Sequence, residues 1–290
     1  NNFQERYSQI NFIVPPNAAI WSQGVSSGSS GSISVGDDTD DGKNIFSNCE
    51  SGIYATINTG VSVTKNNFSN NMIGIRLEQL QDNSVSIQRN VMDDFIDGIS
   101  LFNVSGDKSV EIRENDLNMN QTFDEEEFEY VSTEYSNNGI NLDASAPTLL
   151  DYTIRDNEIQ NCRFGIALNG IAPGSRFYPS TINIYDNEIN YYIQRADLSS
   201  NENYGIWLQN SRRTYIYGNT ITWFHEPIAG DEELITGITL SNSTANEIGE
   251  NEIISLGSGI NIMGDCSRSN FYCNEFRNNF HGGYKLHFCL

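Results

Sequence analysis

Basic residues are scarce in this 290-residue chain. Sixteen Lys+Arg stand against 38 Asp+Glu, the formal net charge is −22, and only 4 of the cations are Lys. A surface so poor in positive charge cannot neutralise phosphates, which excludes non-specific nucleic-acid binding. Long apolar runs are missing too. The longest are a handful of residues, against the ~18 to 20 that a membrane-spanning helix needs, so no membrane insertion of this segment is expected. The opening residues, Asn1-Asn2-Phe3-Gln4-Glu5-Arg6, carry no apolar stretch of the signal-peptide kind. Histidine is limited to His225, His281 and His287, and no Cys-x-x-Cys or Cys/His metal spacing occurs, which excludes a zinc site.

What the chain has in excess is asparagine, with 38 residues. Asn is poor in helices and in ordinary strand interiors, so this many must occupy turns. With 38% hydrophobic and 11% aromatic residues the chain can bury a core, and a charged fraction of 19% argues against disorder.

The asparagines recur at a fixed phase. Asn, any residue, then an apolar residue appears at Asn44, Asn66, Asn90, Asn115, Asn157, Asn187, Asn219, Asn251 and Asn274. Gly, an apolar residue, a variable residue and usually Leu follows each of them, at Gly52, Gly74, Gly98, Gly139, Gly165, Gly205, Gly237, Gly259 and Gly283. Six of the nine Asn-to-Gly distances are eight or nine residues, and the other three are 24, 18 and 18. Short alternating runs precede the Asn, as in Val61-Ser62-Val63, Val110-Glu111-Ile112 and Ile182-Asn183-Ile184, and period-2 alternation marks strands with one buried face.

Three very short strands separated by corners, repeated about every 22 to 24 residues in the undecorated copies, predict stacked coils. No copy holds an amphipathic helix that could cover a sheet, and sandwich hairpins would not return the same Asn and Gly at a fixed phase. The expected fold is all-β, a right-handed parallel β-helix (solenoid) of about nine recognisable coils with partial coils at both ends. In it the Asn takes the left-handed backbone of a corner and stacks as an amide ladder. The Gly opens the next strand where positive φ or close approach excludes a Cβ. Residues 44–290 are expected to form the repeats and 1–43 an irregular first part, given Pro15-Pro16 and the Ser/Gly stretch at 26–32. Asn1-Asn2-Phe3 already fits the corner motif and Gly283 lies near the end of the sequence, so the chain reads as a segment of a longer protein.

On these residues the sequence resembles the parallel β-helix superfamily that includes pectate-lyase-like enzymes, periplasmic NosD-like proteins and large secreted repeat proteins. Asn44 to Gly52 and Cys273-Asn274-Glu275-Phe276 are most similar to repeats of secreted or surface proteins of Bacteroidota-type bacteria. The resemblance implies a fold and leaves the activity open.

Three insertions, at 118–138, 190–204 and 222–236, fall at the same phase between Asn and Gly, and phase equals side in a solenoid, so they are expected along one edge. Their residues are acidic and aromatic, including the run from Asp124 to Tyr130. Tyr191, Tyr192, Trp223, His225, Glu226 and Arg195, with Trp207 facing outward beneath them, are the candidates for substrate binding, since aromatics beside carboxylates suit sugars. Acidic runs also serve simply as solvated loops that Tyr and Trp pin to the rod. A second candidate is calcium, bound by Asp37, Asp38, Asp40 and Asp41. That stretch lacks the Glu an EF-hand loop needs, and a surface turn accounts for it equally.

Two readings of function follow. One is a secreted or cell-surface structural or adhesion module, with an extracellular polysaccharide or another surface protein as partner. The other is a polysaccharide lyase or glycoside hydrolase, which needs a close carboxyl pair, or a carboxylate with Arg or Tyr, on neighbouring coils. A scaffold role would be favoured by one flat patch of Tyr185, Tyr217 and Trp207. Cys49 and Cys162 share a phase several coils apart and are expected as free thiols, while Cys266 and Cys273 are close enough in sequence for a disulfide.

Overall fold

The computed structural model describes residues 2–3, 18–23, 32–37, 39, 43–57, 60–80, 84–104, 109–119, 138–144, 151–171, 181–192, 203–224 and 235–287. Among them every regular element is a β-strand. All inter-strand pairings are parallel, and each joins a strand to its equivalent one coil away, the arrangement of a parallel β-helix. Three faces result. The first runs from Asn2–Phe3 through strands such as Glu158–Gln160 and Glu188–Tyr191 to Glu275–Arg277. The second runs from Ala18–Gln23 through Phe164–Asn169 and Asn203–Gln209 to His281–His287. The third, a sheet of nine strands, runs from Ser32–Val35 to Asn270–Tyr272. Asn67–Glu78 and Val91–Phe102 pass unbroken from the first face into the second.

Equivalent residues stack in register, as the period requires. Ile53, Ile75, Ile99, Ile140, Ile166, Ile206, Ile238 and Ile260 form one inward column, each fully buried. Val63, Ile87, Ile112, Ile154, Ile184, Ile216 and Ile248 form another on the third face. Burying one such side chain stabilises the fold by roughly 1.5 to 3 kcal/mol, so the columns are the main cohesive term between coils.

The asparagines form the ladder. Asn157 donates from Nδ2 to Asn187 Oδ1 at 2.9 Å, Asn187 to Asn219 at 2.9 Å and Asn219 to Asn251 at 2.9 Å. Asn66, Asn90 and Asn115 extend it in one direction and Asn274 in the other. Each amide is otherwise satisfied: Asn187 Nδ2 also donates to the carbonyls of Ile154 and Tyr185, and its backbone N–H donates to Asn219 Oδ1. From Asn66 to Asn251 these side chains are buried, and full pairing is what makes burial of an amide tolerable.

One expectation about the corners needs correction. The left-handed residue is the one before the ladder Asn, not the Asn itself: Lys65, Arg89, Glu114, Asp156, Asp186 and Glu250 have φ of 53 to 58°. The Asn is needed for its amide, which spans coils while its neighbour makes the bend. The glycines that open the second face mostly have ordinary φ, Gly283 being the exception at 60°. Close approach is their reason: a Cβ on Gly205 would lie 2.6 Å from the carbonyl oxygen of Gly237 and 2.7 Å from Ile221 Cγ2.

Ahead of Asn44 the pairing continues on all three faces. Phe3 is in register with Phe46, Ile20 with Ile53 and Ile33 with Val61. Ala19 there stands in the place of Gly52.

Candidate functional site

The corner between the first and second faces is where plain and insertion-bearing coils diverge. Four residues after the ladder Asn, the plain coils place Asn48, Asn70, Asp94, Asn161, Ser255 or Asn278, all left-handed with φ of 53 to 58°. Such a residue turns the chain at once into the second face. The insertion-bearing coils have Met119, Tyr191 and Trp223 at this position, none of them left-handed. Without the bend, strand pairing in two of these coils extends through Tyr191 and Trp223 themselves, while in the first it ends at Asn118. The stems are ordered along the first face: Asp116–Asn118 is one coil from Glu158–Gln160, which is one coil from Glu188–Tyr191, which is one coil from Thr220–Trp223.

Tyr191 and Trp223, expected among the exposed aromatics, are instead buried at 0% and 1% exposure and in register with each other. Their offset from the ladder Asn is even, the same parity as Ile189 and Ile221, so an unbroken strand points them into the core. The exposed pair lies one residue further on. Tyr192, 47% exposed, stacks on Phe224, 53% exposed, with ring centroids 4.4 Å apart and planes 8° from parallel. The N–H of Tyr192 donates to Asn161 Oδ1 at 2.8 Å, which ties the pair to the plain coil beside it.

Trp207 faces outward on the second face, as expected, and belongs to an aromatic cluster separate from the core. Phe164 and Tyr204 stack at 5.3 Å, Trp207 packs on Phe164 at 5.3 Å with a 58° tilt, and the Arg163 guanidinium lies 5.2 Å from the Phe164 ring centre. Ala167, Trp207, Thr239 and Asn261 form one outward column. Thr239 Oγ1, next to Trp207 in that column, and Asn261 Oδ1, one coil further, are buried without hydrogen-bond partners. An unpaired buried polar atom is costly and calls for something to satisfy it. Sequence reasoning missed Phe164 and Tyr204. They stand immediately before the repeat Gly, where other coils carry Ser51, Ile73, Asp97, Asn138, Thr236 and Ser258, so aromatic residues in a mostly polar column were the available signal.

Several carboxylates lie on the same flank. Burial raises the Asp97 carboxyl to about 6, against hydrogen bonds from Asn138, whose Nδ2 donates to it at 2.7 Å, and against Arg76. Asn138 is the residue at which the first insertion rejoins the second face. On the first face Asp116 stacks in register with Glu158. Burial and then the charges of Glu158 and Asp93 raise the Asp116 carboxyl. Tyr54 donates to Glu78 at 2.7 Å across a coil, and Arg76 Nε donates to the same carboxylate at 2.6 Å. Carboxylates paired with Arg and Tyr on neighbouring coils are therefore present.

Arg195, His225 and Glu226 lie outside the described residues, as do Asp38, Asp40 and Asp41. Asp37 accepts from the Thr39 backbone N–H at 2.8 Å and from its hydroxyl, which hold its carboxyl low. Trp207 is on the second face while Tyr185 and Tyr217 are on the third, so the three do not share one patch. The disulfide expected between Cys266 and Cys273 is not formed: Cys266 is buried, with Sγ donating to the carbonyls of Met263 and Leu240, while Cys273 is exposed at a left-handed corner. Cys49 and Cys162 are buried free thiols.

Comparison with known proteins adds one match. The family model described as periplasmic copper-binding protein (NosD) matches residues 151–285, a stretch that includes the Phe164, Tyr204 and Trp207 cluster. Searches of curated proteins and of solved structures gave no match.

Proposed function

We propose that this chain is a β-helical binding module that works outside the cytoplasm, holding an extracellular glycan against the aromatic flank beside its insertions. The observation that carries this reading is the outward column of Trp207, Thr239 and Asn261. It sets an aromatic ring next to a hydroxyl, with an amide oxygen one coil further on, and the protein leaves both polar atoms unpaired. A sugar offers an apolar CH face to such a ring, and its hydroxyls reach the two enclosed polar atoms once the side chains that cover them give way. Phe164 and Tyr204 support the ring from one side, and the stacked Tyr192 and Phe224 stand at the stems of two insertions. A location outside the cytoplasm is supported by the match to a family described as periplasmic. Adhesion to a polysaccharide-coated surface, or to another surface protein, is the use that a rigid rod with one decorated edge suits.

The same family description names copper. The described residues do not fit that ion, which favours thiolate, thioether and imidazole ligands gathered at one point. Cys49, Cys162 and Cys266 are buried, and no group of three His, Cys, Asp or Glu among the described residues could hold a metal.

A second reading, a lyase or hydrolase, is favoured by Asp97, a partly buried carboxyl with a proton affinity raised toward neutrality, as a general acid requires. One experiment separates the two. An oligosaccharide array is read for both binding and product release, with the wild type, Trp207→Ala and Asp97→Asn. Retention without products, lost in Trp207→Ala and kept in Asp97→Asn, is the expected result. Products that vanish in Asp97→Asn would replace the binding module with an enzyme.

A further inference from the structure

The outside of the third face changes character along the rod. Early outward positions are Ser34, Ser62 and Ser86, followed by Glu111 in the same column. The arginines of that stretch are paired: Arg155 donates to Glu111 at 3.0 Å and to Asp156 at 2.5 Å, and Arg113 pairs with Glu111 and Glu114. From Ile182 onward the outward positions turn aromatic and acidic. One column reads Asn183, Tyr215, Glu247, Asn270, and its neighbour reads Tyr185, Tyr217, Gly249, Tyr272.

The second column is not a uniform stack. Tyr185 and Tyr217 are face to face, 4.9 Å apart and 4° from parallel, so each covers the other. Gly249 then breaks the series. A Cβ at Gly249 would fall 2.1 Å from Tyr272 Cε2 and 2.3 Å from its Cζ, which means that the Tyr272 ring lies down across the glycine. Glycine inside a strand costs about 0.5 to 1 kcal/mol relative to Ala, and what it permits here is a ring seated flat on backbone. Tyr272 stays 41% exposed.

Glu247 and Glu250 flank that ring, and Asp186 flanks Tyr217 beside it. Glu247 is two residues along the strand from Gly249, while Asp186 and Glu250 occupy the corner where these strands end. Among the described residues none of the three has an ion-pair partner, unlike the carboxylates beside Arg113, Arg155 and Arg277. Arg213 and Arg268 sit at the opposite corner, ahead of the strands. A flat ring with an exposed face accepts the CH face of a pyranose, and unpaired carboxylates around it favour a positive charge on that ligand.

We propose that Tyr272, with Tyr217 and the carboxylates of Glu247, Glu250 and Asp186, is a binding site for glycans bearing free amines, of the glucosamine type. It is on a different face from the Trp207 flank and stands or falls separately. The pyranose lies on Tyr272 and its ammonium pairs with the carboxylates, a contact that an N-acetylated sugar cannot make.

Calorimetric titration of the full chain with a glucosamine tetramer, its N-acetylated counterpart and tetralysine tests this. The glucosamine tetramer is expected to bind at least tenfold more tightly than the acetylated one and than tetralysine, and to weaken with salt. Tyr272→Ala, at an exposed site and with an unchanged melting temperature, should lose at least tenfold. Gly249→Val, which keeps the ring but denies it its seat, should lose comparably, and Trp207→Ala should bind as wild type. Equal binding of the acetylated tetramer, unchanged binding by Tyr272→Ala, or tetralysine binding as tightly as the glucosamine tetramer would overturn the proposal.

Discussion

Plain and insertion-bearing coils share the same Asn ladder and the same glycine column, yet differ at one position. Asn70 and Asn161 turn left-handed four residues after the ladder Asn and close the coil quickly; Tyr191 and Trp223 continue the strand and bury an aromatic side chain before the chain departs. The comparison teaches that a long excursion does not weaken the stack where it begins. A large core side chain seals the point of exit, and the ladder bond from Asn187 to Asn219 is as short, at 2.9 Å, as the one from Asn157 to Asn187.

The strongest way to break this contrast is Trp223→Ala. Removing a fully buried indole should cost about 3 to 5 kcal/mol, measured by denaturant unfolding. A loss under about 1 kcal/mol would mean that the seal does not hold the corner.

The charge on the decorated flank gives a smaller effect. Asp97, with its carboxyl raised to about 6, binds its proton more tightly in the folded than in the unfolded chain. The stability this contributes is fully present below the ordinary Asp range and is lost as pH rises through about 6. Asp97→Asn should therefore be stabler than wild type at pH 7 by about 2 kcal/mol and lose that advantage near pH 4, in melting curves across pH. A constant difference at both pH values would contradict the burial argument.

At a plain corner the expected change is smaller again. Asn70→Ala places an ordinary side chain at φ of 53° and should cost about 1 kcal/mol, with Asn70→Gly near neutral. Equal effects of the two would mean that backbone conformation is not what Asn70 supplies. Calcium is expected to do least: Asp37 is already engaged by Thr39, and added calcium should leave the melting temperature unchanged. An upward shift would assign the ion to the aspartates near it.

The stacking was legible in the sequence because ladder and core residues must recur at one phase. Ile189 and Ile221 and their Asn partners could be read directly. Tyr191 and Trp223 could have been read as well, since they keep the inward parity of those isoleucines, but the acidic residues beyond them make the segment look like loop from its start. The Lys65-type bend was hidden because the left-handed residue varies while its Asn neighbour does not. The coil before Asn44 was obscured by Ala19 in place of the repeat glycine. Phe164 and Tyr204 were missed because an outward cluster joins residues from different coils, whose proximity appears only once the register is known.

The vertical stacking of equivalent residues is open to one direct test. Asn67 and Glu275 lie in the same outward column, joined step by step through Val91, Asp116, Glu158, Glu188, Thr220 and Glu252. In a cysteine-free background, spin labels at Asn67→Cys and Glu275→Cys should give a narrow distance distribution centred near ~34 Å, seven coil steps of ~4.8 Å. A distance below about 25 Å, or a broad distribution without that peak, would contradict the stacked-coil account.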